Sequence, residues 1–239
     1  MTEFAPVERT SVVGHIVDQV KALVRENRYG LGSKLPNERE LARQLGVSRP
    51  SLREALRTLS LMGILDSRPG AGTRFRTAAR DILKVPFEFF VMLEQPSLAH
   101  LHETRELIEV FAAGLAAERG TEEDVDRLAA ATAALKDAVS RPEAWAPANI
   151  AFHSAVARAT HNPVLERMMS SLYDGMRIVI EAGRRAVRDD LASAYRLHED
   201  IFRAIKRGSV AAARAAMQRH MDVSLDNLTK GKKSGQGRR

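Results

Sequence analysis

Apolar residues recur at helical spacing over residues 11–26. Val12, Val13, Ile16, Val17, Val20, Leu23 and Val24 fall at i, i+4 and i+8 and predict one buried stripe. The segment Tyr29-Gly30-Leu31-Gly32-Ser33-Lys34-Leu35-Pro36 breaks that periodicity. Asn37, with Glu40 three residues on, makes a capping-box start for a second helix, and Gly46 is placed to end it. Ser48 caps a third helix, and Pro50 sits in its first turn, where a missing N–H costs little. Leu52, Leu56 and Leu59 form the inner face of this helix, and Gly63 closes it. Two short strand-like runs, 64–68 and 73–76, flank Pro69-Gly70-Ala71-Gly72. Three short helices followed by a hairpin describe a winged helix-turn-helix.

Past a patternless stretch near Arg76–Arg80, the spacing predicts helix almost throughout: about 80–95, 98–119, 122–140, 144–160, 163–187, 189–207 and 209–229. The breaks are Pro96, Gly120, Pro142, Asn162-Pro163 and Gly208. Alanine-rich stretches at Ala129–Ala134 and Ala211–Ala216 permit close helix packing. No solenoid-type repeat occurs. The expected fold class is mainly α, an N-terminal winged helix-turn-helix with a small β-hairpin wing and a C-terminal all-α bundle of about seven helices. The expected boundaries are 1–77 for the first domain, 78–229 for the second, and 230–239 for a basic, disordered tail.

Composition narrows the function. The 239 residues are 44% hydrophobic and 28% charged, as in a globular protein. With no cysteine, disulfide frameworks and thiolate metal sites are excluded, and a reducing cytosol fits. No stretch approaches the ~20 apolar residues of a membrane span, and MTEFAPVERT has no signal-peptide pattern; a cytoplasmic location is expected. Charge is unevenly placed. Residues 1–77 hold 13 Lys+Arg against 8 Asp+Glu, and the last ten residues hold 5 Lys+Arg with no acid. The section between holds 19 basic and 22 acidic residues. A basic end beside a near-neutral body is the footprint of a polyanion partner.

On the third helix Arg49, Arg53 and Arg57 recur every four residues, away from the leucine face. Guanidiniums so placed can pair bidentately with guanine or clamp phosphate. Ser48 and Ser51 lie at the helix N-terminus, where the dipole favours anions. The runs Leu35-Pro36-Asn37-Glu38-Arg39-Glu40-Leu41-Ala42 and Gly46-Val47-Ser48-Arg49-Pro50-Ser51-Leu52-Arg53-Glu54-Ala55-Leu56 resemble the DNA-binding domain of the GntR family. Gly63-Ile64-Leu65 and Gly70-Ala71-Gly72-Thr73 carry the likeness into the wing, so that it covers about residues 10–76. The resemblance implies that Arg39, Arg49 and Arg53 make the principal contacts to double-stranded DNA, supported by Ser48 and Ser51. Gly70, at the wing tip, would approach the minor groove. It also implies a homodimer on a palindromic operator, two half-sites read by a two-fold protein.

Of seven histidines, His153, His198 and His220 lie on apolar faces of three different helices, with Asn149 one turn before His153. A single such histidine is more often a satisfied core residue; three on inward faces suggest a bundle metal site, where imidazoles suit zinc, nickel or similar ions. Arg105-Glu106-Leu107-Ile108-Glu109, Phe152-His153, Asn162-Pro163, His198 and His220 resemble the FadR-type C-terminal domain, called FCD, of the same family. In such domains an aspartate four residues before the first histidine joins three histidines on one metal; Asn149 stands in that position. An amide oxygen coordinates but is neutral, so affinity falls or a bound effector supplies the charge. The helix containing Phe87, Phe89 and Phe90 suggests the larger, seven-helix form of this domain. Arg105 corresponds to a residue that holds the carboxylate of a small organic-acid effector, and it can also pair with Glu109 at i+4, worth a few tenths of a kcal/mol on an exposed helix.

The reading is a ligand-responsive transcription regulator, a repressor released from its operator by a small carboxylate. Two rivals remain. A metal-dependent hydrolase could use the three histidines, but no general base stands beside them; Glu199, next to His198, points about 100° away on a helix. A non-specific architectural DNA binder would need neither a patterned recognition helix nor a large sensor.

Overall fold

The computed structural model describes residues 12–68, 70–76, 87, 90, 91, 93, 94, 96–175 and 190–235. It divides into two compact units, Met1–Ile82 and Leu83–Arg239.

The first unit holds α1 (Val12–Arg25), α2 (Glu38–Leu45), α3 (Arg49–Leu61) and the antiparallel pair β1 (Leu65–Arg68) and β2 (Gly72–Phe75). The helix ends follow local chemistry. Asn37 Oδ1 accepts the Glu40 N–H at 3.0 Å, and Gly46 takes the left-handed conformation that closes α2, with φ 64°. Ser48 Oγ accepts the Ser51 N–H at 3.3 Å, and Pro50 lies in the first turn of α3. The expected capping box forms only by half. The Glu40 carboxylate turns forward to Arg43 (2.7 and 3.1 Å) and Gln44 (2.8 Å) instead of back to Asn37, because a charge-assisted pair outcompetes a neutral N–H. Ile16 and Val20 of α1 pack with Leu41, Leu52, Leu56, Leu59, Leu65 and Phe75 in one small core. The hairpin pairs Leu65 with Phe75 and Arg68 with Gly72, and Lys34 bridges to Arg74 along its free edge.

The second unit is helical: α4 (Leu98–Arg119), α5 (Glu122–Ala138), α6 (Pro142–Ala159), α7 (Pro163–Gly175), α8 (Leu191–Lys206) and α9 (Val210–Gly235). Phe87, Phe90, Val91, Leu93 and Glu94, in helical conformation, belong to the helix expected at 80–95; the other residues of that stretch, Phe89 included, lie outside the described residues, as do the linker at 77–80, residues 176–187 of the helix expected from 163, and 236–239. Pro142 starts α6 where a break before 144 was expected: at the first helical position it gives up no intrahelical bond. α9 continues to Gly235, into the stretch expected to be a loose tail.

Small residues bring these helices together. Ala112, Ala113 and Ala116 of α4 are buried with Ala213, Ala216 and Met217 of α9. A Cβ at Gly114 would collide with the Arg214 side chain, so glycine there permits the approach. Leu128, Leu135, Phe152, Val156 and Ile201 complete the core. A capping box does form at α5: Thr121 Oγ1 accepts the Asp124 N–H (3.3 Å) and Asp124 accepts the Thr121 N–H (3.1 Å). Among the described residues no helix is long and apolar enough to cross a membrane.

Candidate effector site and DNA-reading face

Three helices of the second unit deliver imidazoles to one buried point. His153 comes from α6, His198 from α8 and His220 from α9, each buried, with one nitrogen from every ring lying within 4.8 Å of the others. His198 and His220 have ring centroids 4.3 Å apart, and His153 lies 5.4 Å from the first and 5.1 Å from the second. Phe152 and Trp145 enclose His198 edge-on. Asn149, one turn before His153, is buried beside them.

The hydrogen bonds fix how these rings are used. His198 Nδ1 lies 2.8 Å from the Ala194 carbonyl, which can only accept, so Nδ1 carries the proton. Burial, then repulsion from His153, pushes the His198 pKa down to about 3, so near neutrality the ring is uncharged and Nε2 is a lone pair. That lone pair faces Asn149 Oδ1, a second acceptor, at 2.8 Å. A cation held by both atoms would resolve the conflict. Turning the amide over, so that its NH2 donates, resolves it without an ion. His220 is also held well below the ordinary histidine range, by burial and then by His198 and His153. His153 Nε2 and His220 Nδ1 are buried without hydrogen-bond partners among the described residues. Buried imidazole nitrogens without partners are what a borderline divalent metal needs, so the donor set fits one.

Beside the histidines stands a charged pair that the sequence shows only in part. Arg105 Nε donates to Glu109 Oε1 at 2.9 Å, and both side chains are buried. Glu109 Oε2 also lies 2.5 Å from His153 Nδ1, close enough for an ion pair but without the alignment of a hydrogen bond. Burial alone would raise the Glu109 carboxyl; the His153 and Arg105 charges more than reverse this and hold it below the usual carboxylate range. The Arg105 guanidinium sits 5.5 Å from the centre of the Tyr173 ring, from α7. Arg105 is thus both next to the site and in the expected i+4 pair, but the few tenths of a kcal/mol expected for an exposed pair do not apply to a buried one. Glu109 as a partner of His153, and Tyr173, were not foreseen. A fourth buried histidine, His102, lies apart from the cluster, its Nε2 2.9 Å from the Met221 carbonyl.

In the first unit Arg49, Arg53 and Arg57 lie exposed along α3, and Arg39 lies exposed on α2. The Ser48 and Ser51 hydroxyls are 2.9 Å apart at the start of α3. Gly70, at the wing tip, has φ 77° with open space where a Cβ would stand. Arg53 Nε donates to Glu38 Oε2 of α2 at 2.7 Å, a contact across 15 residues that helical spacing could not reveal.

Comparison with known proteins gives the arrangement its context. Residues 13–75 match the family described as bacterial regulatory proteins, gntR family, and residues 100–223 match the FCD domain. The HTH-type transcriptional regulator LutR of Bacillus subtilis is 30% identical, over 87% of this chain and 96% of its own. The putative L-lactate dehydrogenase operon regulatory protein of Escherichia coli is 34% identical, over 86% of this chain and 82% of its own. Among solved structures, a GntR protein of Streptococcus agalactiae is 28% identical with a TM-score of 0.69, covering 88% of this chain and 97% of its own. These relatives are regulators, and they lend the hydrolase reading no support. A winged helix-turn-helix followed by a helical unit with a buried three-histidine cluster therefore has a family: this chain belongs to the GntR family of DNA-binding transcription regulators, in the group that carries an FCD domain.

Proposed function

We propose that the chain is a cytoplasmic repressor, a homodimer on a palindromic operator that lets go when a small carboxylate binds at a metal ion in the helical unit. The observation that carries the reading is the buried meeting of His153, His198, His220 and Asn149, with Arg105 close by. A divalent ion such as zinc or nickel would be held by those four side chains and would supply a Lewis-acidic seat for a carboxylate oxygen. Arg105 would hold the other end of the acid by a charge-assisted bond. With imidazoles and an amide and no anionic ligand among the four, the ion would keep its positive charge, so this site would favour an anion more than one that includes a carboxylate ligand. The name of the Escherichia coli relative ties it to lactate metabolism, and a short 2-hydroxy acid, able to chelate through two oxygens, suits the same chemistry.

Arg39, Arg49 and Arg53 would make the principal contacts to DNA, supported by Ser48 and Ser51, with Gly70 approaching the minor groove. The division of labour would be that of the expected domains, residues 1–77 for DNA and 78–229 for effector and dimerisation. An effector favouring one arrangement of the reading heads changes operator affinity by a coupling of ~1–3 kcal/mol.

The test is a thermal-shift series on chelator-stripped protein, with zinc, nickel or manganese and with lactate-like acids. A ligand at about a hundred times its dissociation constant adds ~2.7 kcal/mol of stability. An acid that stabilises only the metal-loaded protein, and that releases DNA, supports the proposal; indifference to every metal removes it. Arg49→Ala should nearly abolish operator binding and leave the ligand response intact, and loss of both would sink the division into two roles.

A further inference from the structure

The reading face of α3 carries several arginines, and the structure treats one of them differently. Arg53 Nε donates to Glu38 Oε2 at 2.7 Å. Glu38 is the first residue of α2, whose start is fixed by the Asn37 cap, so the acceptor sits on a rigid point of the scaffold. The bond uses Nε and leaves the two terminal amino groups of Arg53 without a protein partner among the described residues. Those two groups form the outer edge of the guanidinium, the fork that matches guanine O6 and N7. Among the described residues, Arg39, Arg49 and Arg57 have no hydrogen bond or ion pair of this kind. Arg43 has one, to Glu40 on its own helix. Arg53 and Arg57 line an open groove of about 560 Å³ between α3 and the wing residues Ser67 and Thr73, so the space before them is free.

A long side chain that swings freely can neutralise a phosphate wherever it meets one, but to discriminate a base it must be held in one orientation before contact, since ordering it on binding erodes the gain. We propose that Glu38 is the positioning residue that makes Arg53 the base-reading arginine of this face, while the untethered Arg39, Arg49 and Arg57 act chiefly as phosphate clamps. The proposal rests on the assignment of this face to DNA made above. It has a distinctive sign. Glu38 is an acid beside a polyanion site, so charge alone predicts that its removal tightens binding to every sequence. Positioning predicts that its removal weakens binding to the right sequence alone.

The experiment starts from a random-sequence duplex pool, from which the wild-type protein selects its own site. Binding of the selected duplex and of a scrambled duplex of equal composition is then measured for wild type, Glu38→Gln and Arg53→Lys, at two salt concentrations. Glu38→Gln is near-isosteric at a partly exposed position, and circular dichroism with the melting temperature verifies its fold. The expected result is a specific-to-scrambled ratio reduced about tenfold or more in Glu38→Gln, in line with one bidentate base contact. Affinity for the scrambled duplex should be equal or higher. Arg53→Lys keeps the charge, loses the fork, and should lose discrimination at the same base pair of each half-site. An unchanged ratio in Glu38→Gln, or full discrimination in Arg53→Lys, overturns the proposal and leaves the DNA assignment standing. If the wild-type protein enriches no sequence, the DNA assignment fails and takes the proposal with it.

Discussion

Removing the carboxylate of Glu109 should unfold the helical unit far more readily than any surface change. Glu109 is 0% exposed and faces two nitrogens, Arg105 Nε at 2.9 Å and His153 Nδ1 at 2.5 Å. In Glu109→Ala the Arg105 guanidinium, 4% exposed, loses its counter-charge and cannot be neutralised by deprotonation at any ordinary pH. Breaking a buried pair in this way costs about 3–5 kcal/mol. A unit of about 150 residues unfolds with an entropy near 0.3 kcal/mol/K, so the melting temperature should fall by about 10–15 °C. Chelator-stripped protein followed by circular dichroism in heat and in urea measures both quantities. The double variant Arg105→Met with Glu109→Leu should recover most of the loss, because a buried pair replaced by apolar groups of similar volume is often neutral or stabilising. A cost for Glu109→Ala below about 1 kcal/mol, the ceiling for an exposed pair, would refute the reasoning. So would a double variant no better than the single.

Further outcomes can be checked with the same protein. Asn149→Asp supplies the missing anionic donor and should raise zinc or nickel affinity tenfold or more by isothermal titration calorimetry; equal affinity would mean that residue 149 does not touch the ion. The metal-free helical unit should lose stability in acid. His198 is neutral when folded, with its pKa pushed down to about 3, whereas an unfolded histidine titrates near 6.5, so its contribution is complete above pH ~6.5 and is lost below it at up to ~1.4 kcal/mol per pH unit. Urea midpoints that do not move between pH 7.5 and 5.5 would contradict this. Gly46→Ala meets no atom within 4 Å, so its cost comes only from forcing a φ of 64° on an L-residue, about 1 kcal/mol, and reversible thermal unfolding should register it in the first unit alone.

What the sequence revealed was mostly short in range. Asn37, Gly46 and Ser48 mark their helix ends because a cap is an interaction among near neighbours, and Leu52, Leu56 and Leu59 show their face because periodicity is local. His153, His198 and His220 could be grouped because each sits on an apolar stripe; His102, among charged neighbours on its helix, is buried as well and hydrogen-bonds a backbone carbonyl. The contact of Glu109 with His153, the approach of Tyr173 and the bond from Arg53 to Glu38 each join residues from different helices, where pairing depends on how the helices pack. Glu40 shows the same limit at short range, since two partners lay within a turn and only geometry decided for Arg43.

The length of α9 has a mechanical meaning. Its 26 residues make a rod of ~39 Å, with His220 near the middle. From His220 to Gly235 the rod runs ~22 Å, so a tilt of only ~5° about the histidine moves its end by ~2 Å. A ligand that tilted α9 at His220 would therefore be felt most at the far tip, where the amplitude is set by helix length. Shortening that arm would diminish the displacement without touching a single atom of the binding site.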